Sequence, residues 1–340
     1  MITQKDIAQK LGLDHSTVSL ALRNSEKISA AKRELIQQTA QEMGYTLNAS
    51  AVNLAKYRKV SSEQPVTSVL AWLNCWAEPE KLLQLNEFQQ YWKGAKETAG
   101  RLGYALEEFV VEKEMTLERV QRIMKARSIK GILLPPHSGH VDFHQLDWSL
   151  FSVLRFGRSI QYPRAHMIST DQVGNMILAY NEVFQRGYKR IGLAGRPMKE
   201  NWNNFDAGYL KAQELNFDQT RIPIFSVDEN SPLSQLSEFK AWLEKWQIDA
   251  IISATAGVSK MLEAAEYEIG VDIGLATMSI LDTSIDAGIY QNSDEIGRVA
   301  ALALIAQIQD NDLGVPSIFR KTLVPGVWRD GKTLPDLAKA

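Results

Sequence analysis

Three short amphipathic patterns open the chain. Ile7, Ala8 and Leu11 share one helical face, Thr3 precedes them with Asp6 in the capping-box place, and Gly12 ends the run. Asp14 is placed to cap a second helix in which Val18, Ala21 and Leu22 lie together. Ser29 is placed to cap a third, carrying Leu35, Ala40 and Met43, with Gly44 as its stop. A tight Gly-containing turn between the first two helices predicts a helix-turn-helix head over residues 1–47. Val18 and Leu22 turn inward in this reading, so His15, Ser16, Ser19, Leu20 and Arg23 face outward. In such a motif the N-terminal residues of the second helix meet base edges in the major groove. His and Ser can hydrogen-bond bases, and Leu can pack on a thymine methyl. Periodicity alone also fits a plain three-helix bundle with a solvated face.

Residues 48–65 read as a hinge helix and linker. Asn48 can cap a helix to about Tyr57, which is shorter than the ~12–15 residues needed for marginal stability alone, so it should fold only against a partner. The polar stretch "VSSEQPV" then marks a boundary. From Val66 short apolar runs alternate with helical stretches: "VTSVLAWL", "YALEEFVV", "KGILL", "FSVLRF", "HMIST", "RIGLAG", "IPIFSV", "DAIISA" and "LATMSIL". Alternating βα units predict parallel sheets covered by helices on both faces. The fold class is α/β, and about 270 residues are too many for one comfortable sheet, so residues 66–340 should form two lobes. The first is expected at about 66–165 with 292–325, and the second at about 166–291.

Charge distribution sharpens the picture of the head. Residues 1–60 hold nine Lys/Arg against five Asp/Glu, whereas the whole chain carries 38 against 40. A small basic head on an acidic body points to a polyanionic partner. The single cysteine, Cys75, excludes an intrachain disulfide framework and reads as a small buried hydrophobe in a reducing compartment. No apolar run is long enough to span a membrane, and "MITQKDIAQK" places charges where a signal peptide needs an apolar core. A cytoplasmic protein without a membrane partner is expected.

Open parallel sheets take ligands outside the carboxyl ends of their strands. Asn74 and Trp76 follow the first strand, Arg155 lies in "VLRF", Thr255 follows "DAIIS" and Asp282 follows "MSIL". A cleft between two lobes would bring these together. Trp202 and Phe205 stand near a helix start, where an aromatic face can cover a ring, although core packing fits Phe205 as well. There is no G-x-G-x-x-G after a strand and no P-loop, so nucleotide chemistry has no support. "HSGHVDFH" spaces its histidines like a metal cluster but reads better as a solvated loop. Neither a metal nor a cofactor is expected.

Taken together, Asp6, Ile7, Ala8, Gly12, Ser16, Thr17, Val18, Ser19, Ser29, Arg33, Gly44, Tyr45 and Asn48 match the pattern "DIA…G…STVS…LN…S…R…GY.PN". The chain resembles a LacI/GalR-family transcriptional regulator over essentially its whole length. "STDQVGNMILAYNEVFQRGYKRIGLAG" is similar to a segment of that family's periplasmic-binding-protein-like core. The resemblance implies that His15, Ser16 and Leu20 read major-groove bases, and that Thr3, Thr17, Ser19, Asn24 and Ser29 sit at or near phosphates. It implies that Asn48, Ala51 and Leu54 belong to a hinge helix whose Leu54 wedges into the minor groove, unstacking a base step to bend the DNA.

Departures from the family pattern carry information too. Leu20 stands where Arg is usual and Arg23 where Asn is, which exchanges a bidentate guanine contact for an apolar one. Phe205 replaces an Arg that grips sugar hydroxyls, Thr255-Ala256 replace an Asn-Asp pair, and Asp282 matches the ligand-binding Asp. Arg155 stands where a relative can carry an acid. The resemblance therefore implies a homodimeric repressor on a palindromic double-stranded operator, controlled by a small-molecule effector. A carbohydrate is the default effector, and a glycoside with an apolar group or an acidic sugar on Arg155 suits the departures best. The competing classes are a sugar sensor whose head no longer binds DNA, and an α/β enzyme, for which no motif speaks.

Overall fold

The computed structural model describes residues 2–22, 25, 27–45, 68–137, 141–196, 204–216 and 221–339. The chain divides into two compact units, Met1–Pro65 and Val66–Ala340.

The first unit holds α1 (Gln4–Leu11), α2 (His15–Leu22) and α3 (Ala30–Glu42). The capping box forms as the sequence suggests. The Asp6 amide donates to Thr3 Oγ1, and the Thr3 amide donates to the Asp6 carboxylate at 2.7 Å. Gly12 ends α1 at φ 64°, a left-handed backbone that favours glycine. Ser29 stands at the N-cap of α3, but its side chain makes no capping bond. Ile7, Ala8, Val18, Ala21, Ile36 and Ala40 form the core, with Leu22 packed at its margin. On the third helix Ala40 is buried and Met43 packs against this core as expected, but Leu35 is 53% exposed and Ile36 takes the buried place.

The second unit carries two six-stranded sheets. Its elements begin with β1 (Ser68–Asn74), a short α4 (Pro79–Leu82), α5 (Asn86–Arg101), β2 (Tyr104–Val110) and α6 (Leu117–Ala126). They continue with β3 (Gly131–Leu134), β4 (Ser152–Phe156), β5 (His166–Thr170), α7 (Gln172–Gln185), β6 (Ile191–Gly195) and α8 (Phe205–Leu215). Next come β7 (Phe225–Ser226), α9 (Leu236–Trp246), β8 (Ala250–Ser253), α10 (Val258–Ala264) and β9 (Gly274–Thr277). The last are β10 (Gly288–Tyr290), α11 (Ser293–Asp310), β11 (Lys321–Val324) and β12 (Val327–Arg329).

The first sheet runs β11-β5-β4-β3-β1-β2, parallel throughout, and the second β12-β10-β9-β8-β6-β7, parallel except for β12 on β10. Strand β1 shows why both faces are covered. Leu70 and Trp72 enter one core while Ala71 and Leu73 enter the other, as period-two side chains must.

The lobe boundary differs from the sequence expectation. Residues 166–170 pair with β4 and β11 in the first sheet, so the first lobe reaches Thr170, and β12 returns residues 327–329 to the second. The chain thus crosses between lobes three times, after Thr170, after Tyr290 and after Val324. Helices α5 and α11 of the first lobe pack backbone against backbone. A Cβ on Gly94 would lie 1.9 Å from the Asp294 carbonyl oxygen, and one on Gly297 would lie 2.0 Å from that of Tyr91. Only glycine fits at either place.

Candidate functional site

The head presents one polar face. His15 and Ser16, the first two residues of α2, are exposed, and Thr17 and Ser19 are half-buried. Leu20 is also half-buried but stands outside the packed cluster of the head, which leaves an apolar side chain on that face. Beneath it the head is tied together by side-chain hydrogen bonds, two of them to backbone. Gln37 donates to the Ala21 carbonyl at 3.1 Å, Arg33 to that of Ser25 at 3.1 Å, and Gln4 to the Tyr45 hydroxyl at 3.0 Å. The exposed Thr3 hydroxyl is engaged with Asp6 (2.8 Å), and Ser29 is exposed at the start of α3. Arg23, Asn24, Asn48, Ala51 and Leu54 lie outside the described residues.

In the core, the carboxyl edges of the two sheets meet through a small set of polar contacts. Asp282 follows β9 with φ 62°, a conformation that Asp tolerates better than most residues. Its carboxylate accepts from the Asn86 amide at 2.8 Å, the Asn86 side chain at 2.9 Å and the Glu87 amide at 3.1 Å. It therefore caps α5 of the first lobe from the second lobe. Beside it, the Ser279 hydroxyl donates to Glu87 at 3.2 Å and the Tyr91 hydroxyl to the same carboxyl group at 3.0 Å. Burial pushes the Glu87 carboxyl above its ordinary pKa, and the neighbouring Asp282 charge pushes the same way against the two hydroxyl donors.

The other expected cleft residues have differing surroundings. Asn74 is buried and fully engaged within its lobe. It donates to the Pro79 carbonyl (2.9 Å) and to Glu108 (2.8 Å) and accepts from the Trp76 amide (3.0 Å). Half-buried Trp76 donates to the Pro136 carbonyl at 2.8 Å and meets Phe88 edge to face, ring centroids 6.1 Å apart. An aromatic run continues through Tyr91 to Phe156 and Trp72.

Arg155, expected as a partner for an acidic ligand, is buried and directs its guanidinium at the carbonyls of Gly157, Ile160 and Ala165. These carbonyls engage Nε and one of the two terminal nitrogens of the guanidinium. Phe205, expected as a cover for a ring, is 9% exposed and packs into the second lobe's core with Tyr209 and Met176, because the first residue of α8 faces the sheet. Trp202 lies outside the described residues.

Two residues absent from the sequence reading join Thr255. Arg196 follows β6, and its guanidinium lies 2.8 Å from the Glu229 carboxylate, which also accepts from the Thr255 hydroxyl. Arg196 directly follows the apolar run "RIGLAG", at the carboxyl end of a predicted strand, so a signal was present. Glu229 sits in a loop whose course no local pattern fixes. Among the described residues no His/Cys/Asp/Glu group could hold a metal. His137 lies 2.6 Å from the Cys75 carbonyl, His144 stacks on Tyr162, and His140 is outside the described residues. Cys75 is buried, which raises its thiol pKa to about 12. Among the described residues no helix is long and apolar enough to cross a membrane.

Residues 3–48 match the family model "Bacterial regulatory proteins, lacI family". The chain is 21% identical over 331 residues to the HTH-type transcriptional regulator MalR of Streptococcus pneumoniae, covering 95% of this chain and 97% of MalR. The head is thus that of a lacI-family DNA-binding regulator, and over its length the chain is similar to transcriptional regulators of that kind. Two solved structures share the fold of this chain. The transcriptional regulator CelR–cellobiose complex gives a TM-score of 0.59 at 17% identity, covering 97% of this chain and 100% of that one. The lac repressor dimer bound to operator and the anti-inducer ONPF gives 0.56 at 19%, covering 98% and 99%. The family match spans all three helices of the head and includes Thr3, His15, Ser16 and Leu20.

Proposed function

We propose that this chain is a LacI/GalR-family repressor that reads a palindromic operator as a homodimer and is released or engaged by a carbohydrate in the inter-lobe cleft. The observation that carries the reading is the head. Its outward face sets His15, Ser16 and Leu20 at the start and middle of α2, over a small packed core, inside the stretch that matches the lacI-family model. His15 and Ser16 offer hydrogen-bonding groups to base edges, Leu20 an apolar contact, and Thr17, Ser19 and Thr3 flank them on the phosphate side. Arg23, Asn24 and Ser29 extend that phosphate contact, and Asn48, Ala51 and Leu54 form the hinge that enters the minor groove. A two-fold protein on a two-fold site explains why one head of three short helices suffices.

The effector half of the reading rests on the core. Two lobes joined by three crossings can change their angle, and the carboxyl edges of both sheets face the space between them. CelR and MalR, whose fold or sequence this chain shares, are named as regulators, and the CelR structure is a cellobiose complex. The reading gives the chain no catalytic reaction, no metal and no cofactor, and places it in the cytoplasm. The test is fluorescence anisotropy of an operator duplex with the full chain at moderate salt, across a sugar panel. One sugar should shift operator affinity at least severalfold. Identical affinity with every sugar would count against carbohydrate control and leave DNA binding standing.

A further inference from the structure

We infer that the side-chain amides of Asn175 and Asn292 bind the three inter-lobe crossings into one unit, so that the lobes turn about a single pivot and both residues position the hinge through which effector binding acts. The inference rests on the repressor reading above only for the effector. The crossing at residues 324–327 lies beside the other two, because β11 borders β5 in the first sheet and β12 borders β10 in the second. The Asp171 amide donates to the Val324 carbonyl at 2.9 Å, which joins this crossing to the one after Thr170. Asn175, 1% exposed at the end of the first turn of α7, strengthens the same join. It accepts from the Gly326 amide at 2.7 Å and donates to the Thr170 hydroxyl at 2.7 Å. Asn292 donates to the Pro325 carbonyl at 2.8 Å, which joins the crossing after Tyr290 to the same strand connection.

Neither amide serves its own helix. Asn292 is the N-cap of α11, with a left-handed φ of 54°, yet its side chain makes no capping bond and reaches Pro325 instead. Asn175 lies inside α7, where Asn is a weak helix former and where Asp171 already caps the Gly174 amide at 3.1 Å. Both amides act between crossings. The crossings also touch, since a Cβ on Gly326 would lie 2.6 Å from Ile289 Cγ2 and 2.9 Å from the Tyr290 carbonyl oxygen. Hinge closure concentrates its dihedral changes in a few residues at element ends. Here those residues are bonded to one another, and a bend at one crossing alone would pull a buried donor from its acceptor. The three crossings therefore bend together, and an effector that favours one lobe angle shifts them all.

Asn292→Asp keeps the size and the tolerance for left-handed backbone and loses the donor to Pro325. Asn292→Gly loses the whole side chain without strain at that φ. Amide hydrogen exchange of the full-length protein, read residue by residue by NMR, would follow Asp171 and Gly326, whose own acceptors, Val324 and Asn175, neither variant alters. Both amides should exchange roughly fivefold faster in both variants, the scale of one hydrogen bond. Asn175→Ala should do the same at Asp171. Amides of β3 and β8, inside the two sheets, should keep their wild-type rates. For a sugar that shifts operator affinity in the anisotropy experiment, the shift should shrink by a similar factor in each variant. Wild-type exchange at Asp171 and Gly326 in both Asn292 variants would mean independent crossings, and would overturn the inference while leaving the repressor reading intact. Faster exchange in β3 and β8 as well would mark a general loss of stability and overturn it too. If no sugar moves the operator affinity of wild type, the carbohydrate reading falls, and the exchange rates still decide the hinge.

Discussion

Asp282 matches the residue that contacts ligand in the resemblance described above, yet in this structure its carboxylate caps a helix of the opposite lobe. Replacing it with Asn tests what that contact does. Asn tolerates the φ of 62° and retains one acceptor oxygen, so the change removes mainly charge and one or two of three hydrogen bonds. Losing an N-terminal cap costs about 0.5–2 kcal/mol in general. All three bonds are exposed to solvent, so a value near the middle, about 1 kcal/mol, is expected. That corresponds to roughly a fivefold shift in the balance between clasped and separated lobes. Spin-label distances between an exposed site on α6 and one on α10 would report the shift as a broadened, longer distribution. Effector affinity measured on the same protein should fall by the same factor of about five if effector binds the clasped arrangement. An unchanged distance distribution with complete loss of effector binding would refute the clasp and place Asp282 on the ligand.

Other consequences follow from the same geometry. Leu20→Arg should move base preference in each half-site from thymine towards guanine, read by sequence selection, and an unchanged preference would remove Leu20 from the interface. Gly94→Ala should destabilise the core by about 1–3 kcal/mol or more, because the added methyl meets the Asp294 carbonyl; a melting temperature within a degree of wild type would contradict the packing. Glu87 should make the core less stable as pH rises. Its folded pKa is raised, so its contribution is fully present below the ordinary Glu value of 4.5 and fades through the raised one; Glu87→Gln should flatten that part of the melting-temperature profile. Cys75 should resist a thiol reagent at neutral pH until the core unfolds, and rapid labelling of the native protein would contradict its burial.

Much of the fold is legible along the chain because each element carries its own period. The capping box at Thr3 and Asp6, the Gly12 stop and the alternation in β1 are local facts, and the structure repeats them. What is not legible is where an element is used. "HMIST" reads as a strand in any setting, but only pairing with β4 and β11 places it in the first lobe. "IPIFSV" contributes a strand of only two residues, Phe225–Ser226, at the sheet edge, with Pro223 lacking the N–H that a longer ladder would need. Leu35 and Ile36 differ by one position, and helix phase over a short segment is set by what packs against it. The cleft was the least legible part. Arg155 and Phe205 have the right position at strand and helix ends, but turn carbonyls and the core claim their side chains. Arg196 and Glu229 pair across separate loops, a relation that no local spacing encodes.

The central claim is that the head reads a defined DNA sequence under the control of the core. Selection of bound sequences from random duplex DNA by the full-length protein, at a salt concentration that suppresses nonspecific binding, tests it directly. The account predicts an enriched palindrome with an easily unstacked central step and a thymine opposite Leu20 in each half-site. Absence of any enriched sequence, with and without the sugar panel, would contradict it and leave a sugar sensor whose head has lost its DNA.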